Sequence, residues 1–137
     1  MNRDEVVWAG LIAAAASGIP STACTLAEGG DVLEGARAAG TLLLPRVRSA
    51  PVLLAAAVPV HLALSLGWAA VLAAALPRGR EPLFGPLAGL AIAALDLGVV
   101  GRRLPAIRAL PQGRQWADHL AYGLAVGVAL RCHRSGR

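Results

Sequence analysis

The octapeptide "LPAIRALP" at residues 104–111 repeats the pattern of "LPRVRSAP" at residues 44–51, so Leu-Pro-x-(Val/Ile)-Arg-x-x-Pro stands twice in one short chain. Each copy precedes a long apolar stretch that contains the tripeptide His-Leu-Ala, at 61–63 and at 119–121. Proline lacks a backbone N–H and disfavours helix in the residue before it. Each octapeptide therefore predicts a connector that ends where a new helix begins.

A third segment recurs in the same order. The tripeptide Ala-Gly-Leu stands at 9–11 and at 88–90, upstream of each octapeptide. Matching segments in matching order predict the tandem duplication of a two-helix unit, and chance similarity in an Ala-rich chain is the alternative. Two such units in the same orientation would be related by a pseudo-two-fold axis along the membrane normal.

The composition predicts a membrane protein. Of 137 residues, 56% are hydrophobic and 15% are charged, and the mean hydropathy is +0.60, whereas soluble domains carry about 25% charged residues. All 13 basic residues are Arg, and they lie between apolar runs rather than on one soluble face. This distribution favours membrane flanks over a nucleic-acid partner.

Four apolar stretches are candidates for membrane spans, because a span needs about 20 apolar residues. They are residues 6–26, 52–76, 83–100 and 112–130. The acidic pair Asp4-Glu5 before the first stretch argues against a cleaved signal peptide. We therefore predict one membrane domain over residues 1–137, an all-α four-helix bundle of two tandem hairpins with the bilayer as its main partner.

The first connector predicts a short amphipathic helix over residues 31–43. Asp31 and Glu34 form an Asp-x-x-Glu helix start, and apolar residues follow at spacings of three and four. The helix either lies in the membrane interface or packs on the bundle. Arginines do not decide the orientation, because six fall on the side of the termini and seven on the side of the connectors.

Ionisable residues inside spans are costly and are therefore functional candidates. The candidates, with their polar neighbours, form an intramembrane cluster of His61, Ser65, Asp96, Asp118, His119 and Tyr122. Their positions predict that they share the leaflet next to the two connectors, while the other leaflet contains almost only Ala, Leu and Val. One hypothesis is a small proton-linked carrier or channel, because histidine titrates near physiological pH.

The alternative hypothesis is structural, and it is the one we favour from the sequence. Asp96 would then pair with Arg102 or Arg103, Asp118 would cap the start of the fourth span, and the histidines would bond Ser or backbone groups between helices. The chain would then have a structural or accessory role.

Two further groups of residues have predicted roles. Interfacial arginines would contact lipid phosphates, namely Arg48, Arg102, Arg103 and Arg108. Small residues at helical spacing would let helix backbones approach closely, namely Gly85, Gly89, Gly123 and Gly127. These glycine faces also suggest a homodimer.

The motifs of common enzymes are missing from the sequence, so we predict a protein that is not an enzyme and has no cofactor. Gly-x-Ser-x-Gly, His-Glu-x-x-His and a Lys-containing phosphate loop do not occur. A haem or metal ion held by His61 and His119 is a third hypothesis, although two histidines with no Cys-x-x-Cys make a poor ligand set. Cys24 and Cys132 are the only cysteines.

Three stretches, "HLALSLGW" (61–68), "GLAIAALDLGVVGRRLPAIRALP" (89–111) and "ADHLAYGLAVG" (117–127), resemble small Ala-rich four-span membrane proteins of high-GC bacteria. The resemblance covers about half of the chain, mainly from His61 onward. It implies a multi-pass helical bundle in a bacterial plasma membrane and no particular chemistry.

Overall fold

The computed structural model describes residues 2–136, and all of their regular structure is helical. The first half contains α1 (Arg3–Ser17), α2 (Ile19–Ala27), α3 (Glu34–Gly40) and α4 (Ala50–Ala75). The second half contains α5 (Glu81–Leu95), a π-helical turn (Asp96–Val100), a 3₁₀ turn (Gly101–Arg103), α6 (Pro105–Ala109) and α7 (Gln112–Ser135).

Three helical segments are long and apolar enough to cross a membrane. They are Arg3–Ala27, which joins α1 and α2, Ala50–Ala75, which is α4, and Glu81–Arg103, which joins α5 to the two irregular turns. Over the described residues, the prediction of an all-helical fold with helices long and apolar enough to cross a membrane is thereby confirmed. The fourth predicted span corresponds to α7, which has 24 residues but does not belong to this apolar set.

Helix α7 lies in the middle of the bundle. It packs against α5 on one side and against α1 and α2 on the other, while α4 packs mainly on α1 and meets α7 at fewer positions. The helices therefore follow the spatial order α4, α1, α7, α5. Buried small residues such as Ala9 and Ala13 on α1, which are fully buried, allow this close packing.

The contact between α5 and α7 is a backbone-to-backbone contact at four glycines. A Cβ atom on Gly85 would lie 2.3 Å from the carbonyl oxygen of Gly123, and one on Gly127 would lie 2.4 Å from that of Glu81. Gly89 is equally close to the carbonyl oxygen of His119, at 2.2 Å. These glycine faces therefore meet within one chain, as the predicted close approach of helix backbones requires, and a homodimer stays a prediction.

The helix packing does not follow the expected two-fold relation between the hairpins. That relation exchanges α1 with α5 and α4 with α7, so the extensive contact of α1 with α7 should recur between α5 and α4. The α4–α5 pair makes at most marginal contact. The registers also differ, because Gly10 meets Leu66 and Ala69, whereas Gly89 meets His119 and Gly123. Glycines on α7 allow α5 to approach closely, and α4 has no corresponding row of glycines.

The two octapeptides also fold differently. Residues 44–49 form a turn without helix, whereas Pro105–Ala109 in the second copy form α6. What they share is the helix start that follows, because Pro51 lies in the first turn of α4 and Pro111 is the N-cap residue of α7. The expected connector ends are therefore confirmed.

The first connector contains a helix that is shorter than predicted. It covers Glu34–Gly40 rather than residues 31–43. The carboxylate of Asp31 accepts the backbone N–H of Leu33 at 2.9 Å, which holds the preceding residues in a turn. The helix packs on α4, and a Cβ on Gly40 would lie 2.1 Å from the carbonyl oxygen of Leu53.

Candidate functional site

The first membrane-spanning segment is interrupted at Gly18, between α1 and α2. Pro20 lacks an N–H and cannot donate to the carbonyl of Ala16. The N–H of Gly18 bonds that carbonyl, and not the carbonyl of Ala14 that it would bond in a continuous helix. The carbonyl of Ala14 is bonded instead by side chains. The Nε2 atom of His61 on α4 lies 2.9 Å from it, and the hydroxyl of Ser17 donates to it at 3.4 Å. Since a carbonyl only accepts, Nε2 of His61 carries the proton.

The other side of the interruption is closed from α7. The N–H of Ser21 belongs to the first turn of α2, where backbone donors have no helical partner. The carboxylate of Asp118 accepts it at 2.8 Å. Asp118 therefore caps a helix in another part of the chain, and the positive end of the α2 dipole favours its negative charge.

The third membrane-spanning segment changes geometry at Asp96, where α5 passes into the π-helical turn. The N–H of Gly101 bonds the carbonyl of Asp96 across five residues. Such turns occur often at functional sites. The indole N–H of Trp68 on α4 donates to Oδ2 of Asp96 at 3.0 Å, and Nε2 of His119 on α7 lies 3.6 Å from the same oxygen. We name Trp68, Asp96 and His119 the connector-side cluster.

The two ring nitrogens of His119 both face oxygen acceptors. Nδ1 lies 2.7 Å from the carbonyl of Gln115, and Nε2 faces the carboxylate of Asp96. A neutral imidazole has only one N–H, so it can donate to one of these acceptors at a time. The imidazolium form satisfies both and neutralises Asp96. The pair is partly shielded, with 21% of the His119 side chain and 27% of the Asp96 side chain exposed.

Tyr122 adds a link between α7 and α4. Its hydroxyl donates to the backbone carbonyl of Ser65, and both residues are buried. Tyr122 therefore bonds the backbone of Ser65 and not its hydroxyl. Tyr122 lies one turn after His119 on the same helix, so α7 binds α4 directly at this level.

The predicted intramembrane cluster is thus only partly assembled. The structure brings Asp96 and His119 together and adds Trp68, which helical spacing places on one face with His61 and Ser65 but which was not selected as a site residue. His61 is exposed and bonds the Ala14 carbonyl instead, and Asp118 bonds the start of α2 rather than capping the fourth span. Asp96 lies with Trp68 and His119 rather than with Arg102 or Arg103, so the expected arginine pairing is wrong.

The interfacial arginines lie where the prediction placed them along the chain. Arg48 precedes α4, Arg102 and Arg103 lie in the 3₁₀ turn, and Arg108 lies in α6, all exposed. Their contact with lipid phosphates stays a prediction. Arg114 on α7, which was not selected, bonds the Thr25 hydroxyl at 3.0 Å and pairs with Glu28.

A second charged group lies at the opposite end of the bundle. The guanidinium of Arg134 on α7 bonds Glu5 of α1 at 2.8 Å, Glu81 of α5 at 2.9 Å and the carbonyl of Ala73 of α4 at 2.8 Å. Only 8% of the Glu5 side chain and none of the Glu81 side chain are exposed. We name Arg134, Glu5 and Glu81 the ion triad.

The ion triad lies just outside the predicted spans 6–26, 83–100 and 112–130, at the end of the bundle away from the two octapeptides. In the sequence these residues look like ordinary charged flanks at helix ends. The sequence offered one indication of their contact: Glu5, Glu81 and Arg134 lie at three predicted helix ends on the same side of the membrane. Burial by the neighbouring helices, which the sequence does not display, separates them from solvent-exposed flanks such as Arg131.

The described residues contain no group of three or more His, Cys, Asp or Glu side chains that could hold a metal ion. His61 bonds the backbone carbonyl of Ala14 on α1, and His119 bonds that of Gln115 on its own helix α7. This arrangement does not support their joint ligation of haem.

Comparison with known proteins adds no family. No family model, curated protein or solved structure matches the chain. The resemblance to small Ala-rich four-span proteins therefore stays a prediction, and function has to be argued from the geometry.

Proposed function

We propose that the chain is a multi-pass protein of a bacterial plasma membrane, that α7 is a fourth span, and that its role is structural or accessory. The observation that carries the membrane placement is the exposed side of α7. Between residues 114 and 130, the exposed side chains are those of Trp116, Leu120, Leu124 and Val128. They recur every four residues and form a narrow apolar stripe.

The other sides of α7 hold its polar residues. Asp118, His119, Tyr122 and Arg134 all bond neighbouring helices. A helix with an apolar exposed stripe and polar contacts inside suits lipid as solvent, because polar groups in a membrane face the bundle interior. The length of α7, 24 residues, is sufficient for a span of about 20 residues.

The polar contacts also support a structural role. Each of them joins helices that are distant in the chain, and two of them bond backbone groups released at the interruption of the first span. Interrupted helices persist in membranes only where neighbouring side chains bond the released backbone groups. Holding the helices together is thus a sufficient role for the polar residues inside this bundle.

Native cysteines offer a direct test of the number of spans. Cys132 lies near the end of α7 and is exposed. In a Cys24→Ala background, a membrane-impermeant maleimide should label Cys132 from the same side as a cysteine introduced at Arg80, between α4 and α5. A cysteine introduced at Ser49, before α4, should react only from the opposite side. Labelling of Cys132 together with the Ser49 position would show that α7 does not cross.

A proton-linked carrier is the second candidate, and the Asp96–His119 pair is the observation that favours it. Both side chains are ionisable, they meet beside the π-helical turn, and Nε2 of His119 lies 3.6 Å from Oδ2 of Asp96. Liposomes that contain the protein and a pH-sensitive dye separate the two roles. A structural role predicts no proton flux above that of empty liposomes. A flux that His119→Gln abolishes and His61→Gln preserves would instead establish the carrier.

A further inference from the structure

The ion triad contains one polar atom without a protein partner. Glu81 is fully buried, and its Oε1 accepts from Arg134, but its Oε2 has no hydrogen bond. The N–H groups of Gly79 and Glu81 lie near the carboxyl, but neither meets hydrogen-bond geometry at Oε2. A buried carboxylate oxygen without a donor is costly, so a donor from outside the chain would be bound favourably.

The triad lies beside an open cavity of about 450 Å³. This volume falls within the range of about 300–1,000 Å³ that is typical of small-molecule sites. Besides the triad, the cavity is lined by Asn2, Arg78, Gly79 and Arg131. Arg78 and Arg131 are both exposed where they line the cavity.

The residues that line the cavity favour a ligand that carries one positive and one negative group. Within the triad, two carboxylates share one guanidinium, so the triad has a net charge of −1 and an oxygen that needs an N–H donor. Arg78 and Arg131, at the mouth of the cavity, add two guanidinium groups that prefer phosphate or carboxylate. A zwitterion with an ammonium group next to an anionic group fits both requirements.

The place of the cavity in the bundle indicates the source of such a ligand. The cavity lies at the start of α1, the start of α5 and the end of α7, which all reach the same end of the bundle. A second cavity at that end is lined by Asp4 and by the exposed apolar residues Val7, Trp8 and Leu11 of α1, together with His133. Tryptophan prefers the membrane interface. Headgroups and the first carbons of lipid chains occupy this level.

We propose that the cavity beside the ion triad binds the phosphoethanolamine headgroup of a membrane lipid. The ammonium donates to Oε2 of Glu81, and the phosphate contacts Arg78 and Arg131. The exposed apolar face of α1 runs alongside the chains of the same lipid. A choline headgroup satisfies the site less well, because its quaternary nitrogen has no N–H. This inference rests on the membrane placement proposed above.

Native mass spectrometry of the full-length protein, released from vesicles of equal phosphatidylethanolamine and phosphatidylcholine content, tests the proposal. We expect phosphatidylethanolamine to be retained about tenfold more than phosphatidylcholine, the ratio that one charge-assisted hydrogen bond supplies. Arg131→Gln and Arg78→Gln should each reduce this retention. Arg80→Gln, in the same turn but outside the cavity, should leave it unchanged.

Glu81→Gln supplies a separate check, because an amide in place of the carboxylate removes the preference for an ammonium donor. Should this variant fail to fold, the two arginine variants still decide the matter. Equal retention of both lipids, or unchanged retention of phosphatidylethanolamine in Arg131→Gln and Arg78→Gln, would overturn the proposal. Displacement of the lipid by an equal concentration of soluble phosphoethanolamine would overturn the assignment to a lipid. Labelling of Cys132 in the same preparation reports separately on the membrane placement.

Discussion

Asp118 of α7 accepts the backbone N–H of Ser21 of α2 at 2.8 Å, across 97 positions of the chain. The carboxylate of one helix thereby caps the start of another, at the interruption of the first membrane-spanning segment. On the other side of that interruption, His61 of α4 bonds the released carbonyl of Ala14. Side chains from two helices therefore hold the break in place.

Removal of the Asp118 carboxylate should destabilise this arrangement. Asp118→Ala leaves the N–H of Ser21 without its acceptor, and the loss of a cap costs about 1–2 kcal/mol. Asp118→Asn keeps an acceptor oxygen and should lose less than half of that amount. Equilibrium unfolding in mixed micelles measures both changes. Equal destabilisation by the two variants would contradict a capping role.

Arg134 should be the most sensitive charged residue of the chain. Arg134→Ala leaves Glu5 and Glu81 buried without a countercharge, a change that typically costs about 3–5 kcal/mol. Arg131, on the same helix, is exposed and provides the matched control, because exposed substitutions usually change stability by less than about 0.5 kcal/mol. The same unfolding assay applies. If the two alanine variants are equally stable, the triad is not a stabilising contact.

The contact between α5 and α7 should not tolerate a single methyl group. Gly85→Ala places a Cβ 2.3 Å from the carbonyl oxygen of Gly123, so the helices must separate at a cost of about 1–3 kcal/mol. Gly67 lies in α4, and a Cβ added there would meet no neighbouring group within 4 Å. Gly67→Ala should therefore stabilise the protein by about 0.5–1 kcal/mol through helix propensity. Opposite signs for these two changes are the expected result.

The connector helix α3 should respond to acid. The Arg37 guanidinium, followed in importance by the N–H of Leu33, holds the pKa of Asp31 below its ordinary value of 3.8. A lowered pKa means that the contact stabilises the connector above that value and is lost as the pH falls through the lowered pKa. Carbon NMR of the Asp31 carboxyl and amide shifts of α3 in micelles report both events.

Asp31→Asn provides the control for this titration. In this variant the α3 amide shifts should lack the step that follows the Asp31 carboxyl in the wild-type chain, since that carboxyl is gone. A transition at or above the ordinary value of 3.8 in the wild-type chain would show that Arg37 does not hold the carboxylate.

Local patterns predicted the parts of the fold that depend on neighbours in sequence. Pro51 and Pro111 mark the starts of α4 and α7, because a proline acts on its own backbone and on the residue before it. The spacing of Gly85 and Gly89 marked a close helix contact. The same spacing did not reveal its partner, since a glycine face fits another helix of the chain as well as a second copy.

Polar residues were predicted less completely, for a related reason. Asp96 and His119 were selected because charge inside an apolar run is unusual, and they do lie together. Trp68 was not selected, since an indole in an apolar run is ordinary until its N–H meets a carboxylate. Glu5 and Glu81 were not selected, because only the packing of α1, α5 and α7 buries them.

The sequence by itself determined a helical chain with membrane-spanning segments, because apolar length and helix-starting prolines act locally. The tertiary structure decided the order of the helices, with α7 in the middle. It also decided which titratable groups meet, because a contact such as Ser21–Asp118 depends on how helices pack and not on any spacing along the chain. The similarity of the two halves could not specify this packing, since glycines on α7 have no counterpart on α4.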